Sequence, residues 1–242
     1  MRIPGVGAPS SYGWELISDK AVPKELEEGW KSEAIPEKQH AAFAPLLRQM
    51  RRGRVREDFA ALAKAVEMTG LADPLTIEVG CGSGWNSEVL TYLLGRPIRY
   101  MGLDYSKAMV RLGKRCYPNL RFVVGDAARL PLRDAACDIL ISGTVLMHLL
   151  GYSQAIRESR RVARAWCILH TVPVVQKRPT TILRKFAYGS PVVEVVFNEP
   201  ELLRLIADSG LVVRHTLESI PYALADVLGE SASARTYLCE VV

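Results

Sequence analysis

Three carboxylates beside the ends of apolar runs are the residues with the clearest chemical potential in this chain of 242 residues. Glu78 lies in a run that ends at Val79, and Asp104 and Asp126 each follow a run of their own. Because parallel strands end at one edge of a sheet, we expect the three side chains to converge on one cleft. Such a pocket would repel a pyrophosphate, and it suits a ligand that is cationic or rich in hydroxyl and amino donors.

A glycine-rich stretch, Gly80-Cys81-Gly82-Ser83-Gly84, separates Glu78 from the next helical segment. Glycine there allows a tight turn and lets a ligand approach the main chain closely. A dinucleotide-binding loop would read G-x-G-x-x-G, but the sixth position is Trp85, so that match fails. No lysine of the P-loop type follows either. The loop therefore argues against a dehydrogenase and against a phosphate cradle.

Strands and helices alternate from residue 71 onward, and they must position these side chains. Apolar runs predict five strands at Leu75–Val79, Ile98–Leu103, Arg121–Gly125, Cys137–Ser142 and Trp166–Val172. Helical patterns occupy Trp85–Leu94, Ser106–Cys116, Ser153–Arg164 and Asn198–Ser209. This order predicts an α/β fold with a mostly parallel sheet and helices on both faces. Two more strands, Leu211–Leu217 and Arg235–Val242, are close enough in sequence to favour an antiparallel last strand.

The chain divides into two regions by pattern. Residues 1–70 read as an N-terminal arm followed by a helical cap, with helices over Lys24–Lys31, Gln39–Met50 and Arg56–Thr69. Residues 71–242 form the α/β domain, with a lid-like insertion at 174–198 after the fifth strand.

The composition is that of an ordinary globular protein with a formal net charge of +5. Its five cysteines form no CxxC pair and no zinc-type cluster with the four histidines, so we predict no metal site. No apolar run approaches the roughly 18–20 residues that a membrane span needs. The start of the chain lacks the apolar segment of a secretory signal, which argues against secretion. Most of the cysteines lie in apolar, strand-like runs as free thiols, so we predict a reducing, cytoplasmic setting. We expect a monomer or a homodimer.

The chain resembles the class I S-adenosylmethionine-dependent methyltransferases over roughly residues 74–218. Four ordered elements carry the resemblance: Glu78-Val-Gly-Cys-Gly-Ser-Gly84, Gly-Leu-Asp104-Tyr-Ser-Lys-Ala-Met109, Gly-Asp126-Ala-Ala-Arg-Leu-Pro131, and the stretch from Cys137 to His148. The resemblance implies a Rossmann-like sheet of seven strands with the last one antiparallel. It also implies S-adenosylmethionine as cofactor and S-adenosylhomocysteine as product.

The resemblance assigns roles to residues of the cofactor half. The methionyl part would pass over Gly80, Cys81, Gly82 and Gly84, beside Glu78. Asp104 would hold the ribose hydroxyls, Tyr105 and Met109 would flank the adenine, and Asp126 and Ala127 would bind its edge. The methionyl amino group and sulfonium would meet Ser142 and Gly143.

The sequence says less about the residues that bind the methyl acceptor, because methyl transfer can rely largely on proximity and alignment and needs no fixed catalytic motif. No Asn-Pro-Pro-Tyr motif follows strand four, where the chain reads Ser142-Gly-Thr-Val. His170, near the end of strand five, is the better candidate for a general base, and His148 is the second. In the insertion, the candidates for lining the substrate are Tyr188, Glu194 and Phe197. One arginine of the group Arg48, Arg51, Arg52, Arg54 and Arg56 could bind the methionyl carboxylate or an acidic substrate.

The function that these features favour is methyl transfer by in-line displacement to an oxygen or nitrogen, or to a carbon, of a small molecule. One alternative is an RNA or protein methyltransferase, for which the basic residues Arg157, Arg160, Arg161 and Arg164 on one predicted helix could touch phosphate. The modest charge and the missing acceptor motif weigh against it, and nucleic acid is the less favoured partner. Another alternative is a module that binds the cofactor without catalysis, since a glycine loop says nothing about turnover.

Overall fold

A computed structural model describes residues 13–17, 22–222 and 224–242. The predicted arm falls largely on residues 1–12 and 18–21, which lie outside the described residues. The division into an N-terminal region over 1–70 and an α/β domain over 71–242 stays a prediction.

Ten strands form a single sheet in the part of the chain that the structure describes. They are β1 (Trp14–Ile17), β2 (Leu75–Val79), β3 (Arg99–Asp104), β4 (Arg121–Val124), β5 (Cys137–Gly143), β6 (Ala163–Val175), β7 (Thr181–Ala187), β8 (Ser190–Asn198), β9 (Leu211–Tyr222) and β10 (Ala232–Val241). The order along the sheet is β1-β7-β8-β6-β5-β2-β3-β4, and β10 pairs with β6 and β9.

The predicted α/β fold is confirmed, but the strand count is not, because seven strands were expected. All seven are present as the path β4-β3-β2-β5-β6-β10-β9, and β10 is antiparallel to both of its neighbours, as predicted. The other three strands form a branch. The end of β6 runs on beyond its pairing with β5, and Val174 and Val175 pair with Phe197 and Asn198 of β8.

Eight helices complete the described fold: α1 (Lys24–Glu27), α2 (Ile35–Arg51), α3 (Glu57–Met68), α4 (Trp85–Leu94), α5 (Lys107–Cys116), α6 (Tyr152–Val162), α7 (Glu199–Asp208) and α8 (Ala225–Leu228). They cover both faces of the sheet. Leu62 and Leu90 of α3 and α4 pack on one face. Ile156 and Ile206 of α6 and α7 pack on the other. This layering places the carboxyl ends of the parallel strands at one open edge.

The predicted helix Ser153–Arg164 ends earlier in the structure, at Val162. Arg164 belongs to β6, where its guanidinium pairs with Asp138. The four arginines therefore do not share one helix. No helix among the described residues is both long and apolar enough to cross a membrane. All five cysteines are free, and four of them are buried.

The insertion at 174–198 is a β-hairpin, β7 and β8, joined by a two-residue turn. Tyr188 and Gly189 make that turn, and both have positive φ (54° and 86°), as a type I′ turn requires. Strand β1 adds to the outer edge of the hairpin by antiparallel pairing with β7. The inner side of the hairpin faces the carboxyl ends of β5 and β6.

Residues 24–31, which we call the cap segment, lie against this hairpin. They comprise α1 and a short 3₁₀ turn over Gly29–Lys31. Gly29 fits closely, because a Cβ there would lie 2.2 Å from the carbonyl oxygen of Pro191 in β8. The cap segment and the hairpin thus form a continuous roof above the sheet edge.

Candidate functional site

A large cavity opens where the parallel strands β2, β3, β5 and β6 end, beneath the hairpin and the cap segment. The space between its walls, including the open mouth, is about 1210 Å³. Eleven of the residues predicted for the site line it: Gly80, Gly82, Asp104, Tyr105, Met109, Asp126, Ala127, Gly143, His148, His170 and Tyr188.

The glycine loop shapes one wall of the cavity. Gly80 and Gly82 both have positive φ, +70° and +54°. A Cβ on Gly82 would lie 2.7 Å from the Trp85 ring, so only glycine fits there without displacing it. Gly84 does not line the cavity and instead precedes the first residue of α4. Cys81 packs into a small apolar cluster with Val110 and Phe122. The loop therefore presents bare main chain to the cavity.

Asp104 ends β3 at the cavity floor and is held in place by the main chain. Its Oδ2 accepts from the Gly82 N–H (2.9 Å), and its Oδ1 accepts from the Ser106 N–H (2.8 Å). Burial raises the pKa of the carboxyl to about 6, although these two hydrogen bonds oppose the shift. The carboxylate is oriented, ionised at neutral pH and still has lone pairs for a ligand.

Glu78 does not line the cavity but lies just beneath its floor. Its Oε1 accepts from Asn86 Nδ2 (2.6 Å), and its Oε2 accepts from the Tyr100 hydroxyl. Burial raises the pKa of Glu78 to about 7 against these two hydrogen bonds. A Cβ on Gly143 would lie 2.0 Å from Glu78 Oε1, so the carboxyl packs directly under the end of β5. Ser142, the residue before Gly143, is buried and also lies outside the cavity lining.

The far end of the cavity contains Tyr105, Met109, Asp126 and Ala127. The Tyr105 hydroxyl donates to the Glu27 carbonyl oxygen of the cap segment (3.3 Å). Asp126 is exposed, and its Oδ1 accepts from the Ala128 N–H (2.8 Å). This end offers an aromatic side wall and a carboxylate at the rim, which suits a flat base with an amino group.

The opposite end has polar atoms that lack partners among the described residues. Gln39 Oε1 and Arg56 Nη1 are buried there without a hydrogen bond. Arg56 also makes a bidentate ion pair with Asp58, and its guanidinium lies over the ring of Phe59. Unpaired buried donors and acceptors are costly, so these atoms indicate a ligand with a polar terminus. Of the five clustered arginines, Arg56 alone lines the cavity.

His148 lies in the 3₁₀ turn after β5 and borders the cavity. Its Nδ1–H donates to the Val193 carbonyl oxygen (2.8 Å), which leaves Nε2 as an acceptor. The Trp30 ring stands over the imidazole with a centroid distance of 4.7 Å. Burial lowers the pKa of His148 to about 4, so the ring is neutral at physiological pH.

His170 is buried at the end of the paired part of β6. Its Nδ1 lies 2.9 Å from Thr236 Oγ1, which in turn lies 2.7 Å from Ser219 Oγ. Burial lowers the pKa of His170 to about 4 as well. His170 thus lies at one end of a hydrogen-bonded series that continues through Thr236 of β10 to Ser219 of β9.

Two threonines at the same edge adopt unfavourable backbone conformations. Thr144 and Thr171 follow the ends of the paired stretches of β5 and β6, and their φ values are +57° and +56°. Positive φ is rare for β-branched residues, and such strain concentrates at functional sites. Thr171 Oγ1 is buried without a hydrogen-bond partner among the described residues, and both threonines line the cavity.

The three residues predicted in the insertion have different positions. Tyr188 lines the cavity, and burial raises the pKa of its phenol to about 12. Glu194 is fully buried behind the wall, where it accepts from Lys185, Tyr222 and Trp14. Phe197 packs edge-on against Tyr152 in the core. The charged side chain that reaches the cavity from the hairpin is Lys185.

Sequence reasoning missed Lys185, Trp30, Gln39, Asp58 and Thr171 as cavity residues. No sequence signal was available for Lys185, because both faces of the strand, Leu183/Lys185/Ala187 and Ile182/Arg184/Phe186, read apolar-basic-apolar. The burial in the structure shows that the first of them faces inward. Among the described residues, no group of three His, Cys, Asp or Glu side chains could hold a metal ion.

Part of the chain is similar to known methyltransferases. Residues 77–169 match the family model described as methyltransferase domain. A protein of Mycolicibacterium smegmatis, named as a probable S-adenosylmethionine-dependent methyltransferase, is 35% identical over 88 residues. A protein of Mycobacterium tuberculosis with the same description is 27% identical over 139 residues. These matches cover 36% and 56% of this chain, and 33% and 48% of the relatives, so they span half or less of those relatives' length.

One solved structure resembles nearly the whole chain. It is the 1,6-didemethyltoxoflavin-N1-methyltransferase of Burkholderia thailandensis, with bound 1,6-didemethyltoxoflavin and S-adenosylhomocysteine. The two chains share 16% identity, a TM-score of 0.59, and coverage of 96% and 97%. At this identity the likeness establishes the fold, and the acceptor must be argued from the cavity.

Proposed function

We propose that this chain, whose residues 77–169 match the family model of a methyltransferase domain, is a class I S-adenosylmethionine-dependent methyltransferase that moves a methyl group to an oxygen or nitrogen of a small-molecule acceptor. The observation that carries the proposal is the cavity itself. It joins an oriented buried carboxylate, Asp104, and a main-chain glycine wall to the part beneath the hairpin, which we call the acceptor chamber.

The residues present fit S-adenosylmethionine along the length of the cavity. Asp104 would accept from the ribose hydroxyls, with Tyr105, Met109, Asp126 and Ala127 around the adenine. Gly80 and Gly82 would lie along the methionyl part, and Gly143 would lie near the sulfonium. When bound, this cofactor supplies an electrophilic methyl group on a sulfonium cation.

The methionyl carboxylate has a candidate partner in the unpaired Nη1 of Arg56. A guanidinium that already holds Asp58 is fixed in orientation, so an additional carboxylate would bind it without much loss of side-chain freedom. Gln39 lies beside the glycine loop, since a Cβ on Gly82 would be 3.1 Å from the Oε1 atom of Gln39. That oxygen could accept from the methionyl ammonium group.

Binding of S-adenosylhomocysteine, measured by calorimetry, tests the cofactor assignment. Asp104→Ala should weaken the affinity about 10- to 100-fold, because hydrogen bonds to a charged acceptor contribute roughly 1.5–3 kcal/mol each. Asp104→Asn should weaken binding too, because its NH₂ group would face one of the two main-chain N–H groups from which the carboxylate accepts. The matched control is Asp73→Ala at an exposed carboxylate in the loop before β2, which should bind as the wild type does.

Failure of the wild type to bind S-adenosylhomocysteine, or equal affinity in Asp104→Ala, would contradict the cofactor assignment.

A second measurement separates an enzyme from a cofactor-binding module. Labelled S-adenosylmethionine incubated with fractionated cell metabolites should yield a methylated small molecule with the wild type and far less with Asp104→Ala.

A further inference from the structure

Lys185 is a buried lysine in the wall of the acceptor chamber. Only 6% of the residue is exposed, and its side chain lines the cavity from the inner face of β7. Its Nζ donates to Glu194 Oε2 (2.5 Å) and lies 3.4 Å from the Tyr222 hydroxyl. Replacing such a pair by apolar residues is often neutral or stabilising, so packing alone does not account for a lysine here.

The negative charge of Glu194 is spread over several donors. Besides Lys185, it accepts from the Tyr222 hydroxyl (2.6 Å) and from Trp14 Nε1 (3.1 Å). These donors favour the ionised carboxylate, and burial disfavours it. The donors prevail, because the pKa of Glu194 is lowered. Lys185 is therefore not the sole partner of that charge. It remains an electropositive donor at the cavity surface.

His148, in the turn after β5, and Lys185, in β7, contact adjacent residues of β8. Lys185 pairs in register with Val192 of β8, and His148 Nδ1 donates to the carbonyl of the following residue, Val193. The imidazole is thereby fixed in one tautomer, with Nε2 as a free acceptor. A cationic donor and a neutral acceptor thus share one side of the chamber.

We propose that Lys185 and His148 together bind the hydroxyl group of an aromatic acceptor, an inference that rests on the proposed methyl transfer. The acceptor oxygen would accept from Lys185 Nζ, and its O–H would donate to His148 Nε2. A protonated amine would meet a like charge at Lys185 and has no lone pair to offer it. The pair therefore selects phenols over alkyl amines.

The same contacts prepare the hydroxyl for transfer. A neighbouring ammonium favours the ionised form of a phenol. The hydroxyl proton passes to His148 Nε2, the oxygen bonds to the methyl carbon, and the electron pair of the broken S–CH₃ bond stays on sulfur. The pKa of His148 is lowered to about 4, mainly by burial, with Glu194 opposing the shift and Lys185 adding to it. A phenolate formed beside the ring would raise this pKa.

The surroundings of this pair suit a flat ring. Trp30 stands over His148, and its ring meets Tyr188 edge-on with a centroid distance of 6.1 Å. Met147 and Ile220 supply apolar surface on the cavity lining. An aromatic acceptor could lie among these side chains with its hydroxyl directed at Lys185 and His148.

The test uses 4-nitrophenol, whose ionised form absorbs visible light, with the full chain saturated with S-adenosylhomocysteine. In the wild type the bound phenol should ionise at a pH about one unit or more below that of the free phenol. The double variant K185M/E194Q removes both charges and keeps an acceptor for Tyr222 and Trp14, so no lone buried charge remains. It should bind S-adenosylhomocysteine normally and lose the shift.

A control removes an exposed ion pair from the outer face of the same hairpin. Arg184 pairs with Glu15 of β1, and R184M/E15Q should keep the full shift. 4-Nitrobenzylamine, which carries a cationic side chain on the same ring, should not displace the phenol.

The inference is overturned if nitrophenol fails to bind the loaded wild type, if K185M/E194Q keeps the shift, or if the amine competes equally. If S-adenosylhomocysteine itself does not bind, the proposed function fails, and this inference with it.

Discussion

Two carboxyl groups of one cleft, Glu78 and Asp104, have different surroundings and hence different roles. Asp104 is fixed by two main-chain N–H groups at the cavity surface, so it can accept from a ligand. Glu78 accepts from Asn86 and Tyr100 below that surface and fills the space that a Gly143 side chain would need. Glu78 therefore supports the floor, and Asp104 faces the ligand.

The raised pKa of Glu78 has a consequence for stability. Its pKa is about 7 in the folded protein against 4.5 for an ordinary glutamate, so between these values the folded state holds a proton that the unfolded chain releases. The free energy of unfolding must then fall as the pH rises from about 4.5 to 7, by roughly 3 kcal/mol at most. Asp104 adds a smaller fall at lower pH, because its pKa is also raised.

Urea denaturation at a series of pH values measures this slope. We expect Glu78→Gln to flatten the decline between pH 4.5 and 7, because the amide does not titrate. Glu67→Gln, at an exposed glutamate of α3, is the matched control and should follow the wild-type profile. Parallel profiles for wild type and Glu78→Gln would show that this carboxyl does not titrate in that range.

At the scale of elements, the sequence predicted what local patterns determine. Leu75–Val79 and Trp85–Leu94 have the predicted bounds, because a short apolar run ends at glycines and a helix begins after them. The branch of β1, β7 and β8 was missed. Strand β1 pairs with residues more than 150 positions away, as Trp14 does with Lys185, and no local pattern encodes that partner.

The same limit applies to the candidate site. Gly80, Gly82 and Asp104 line the cavity together, because they follow or end consecutive parallel strands. Glu194 was predicted to line it, but the register of the hairpin puts Lys185 at the surface and Glu194 behind it. Which member of a buried ion pair meets a ligand depends on strand register and packing, which the sequence pattern does not specify.

The fit between the cap segment and the hairpin is tight enough to test with one methyl group. In Gly29→Ala, the new Cβ would lie 2.2 Å from the Pro191 carbonyl oxygen and 2.9 Å from Val192 Cγ1. We expect the cap segment to shift away from β8, with a loss of about 1–3 kcal/mol in the free energy of unfolding. Because Trp30 and Glu27 line the cavity, the affinity for S-adenosylhomocysteine should fall too.

Thermal unfolding and calorimetry measure the two effects. Gly151→Ala is the control, since its Cβ would meet only Ala128 Cβ at 3.8 Å, an ordinary contact. If Gly29→Ala is as stable as Gly151→Ala and binds as tightly, the cap segment does not depend on this contact.

At the scale of the whole molecule, the net charge of +5 does not form a polyanion site. Arg160 donates to the Val242 carbonyl, and Arg161 and Arg164 pair with Asp134 and Asp138. Arg157 is held by hydrogen bonds within α6. These contacts lie away from the cavity, whose floor and rim contain the carboxylates Asp104 and Asp126. The basic residues therefore stabilise the surface of the fold and do not extend the site.

This distribution predicts that bulk RNA is not a partner. Nonspecific binding of nucleic acid scales with the number of phosphates neutralised, and each one adds about −0.7 to the salt slope for single strands. With Arg157, Arg160, Arg161 and Arg164 already engaged, the chain should bind weakly, with a dissociation constant above about 10⁻⁴ M and a shallow slope. Fluorescence anisotropy with labelled RNA over a range of salt concentrations measures both quantities. Micromolar affinity with a steep slope that falls in R157A/R160A would instead identify α6 as an RNA-binding surface and favour a nucleic acid substrate.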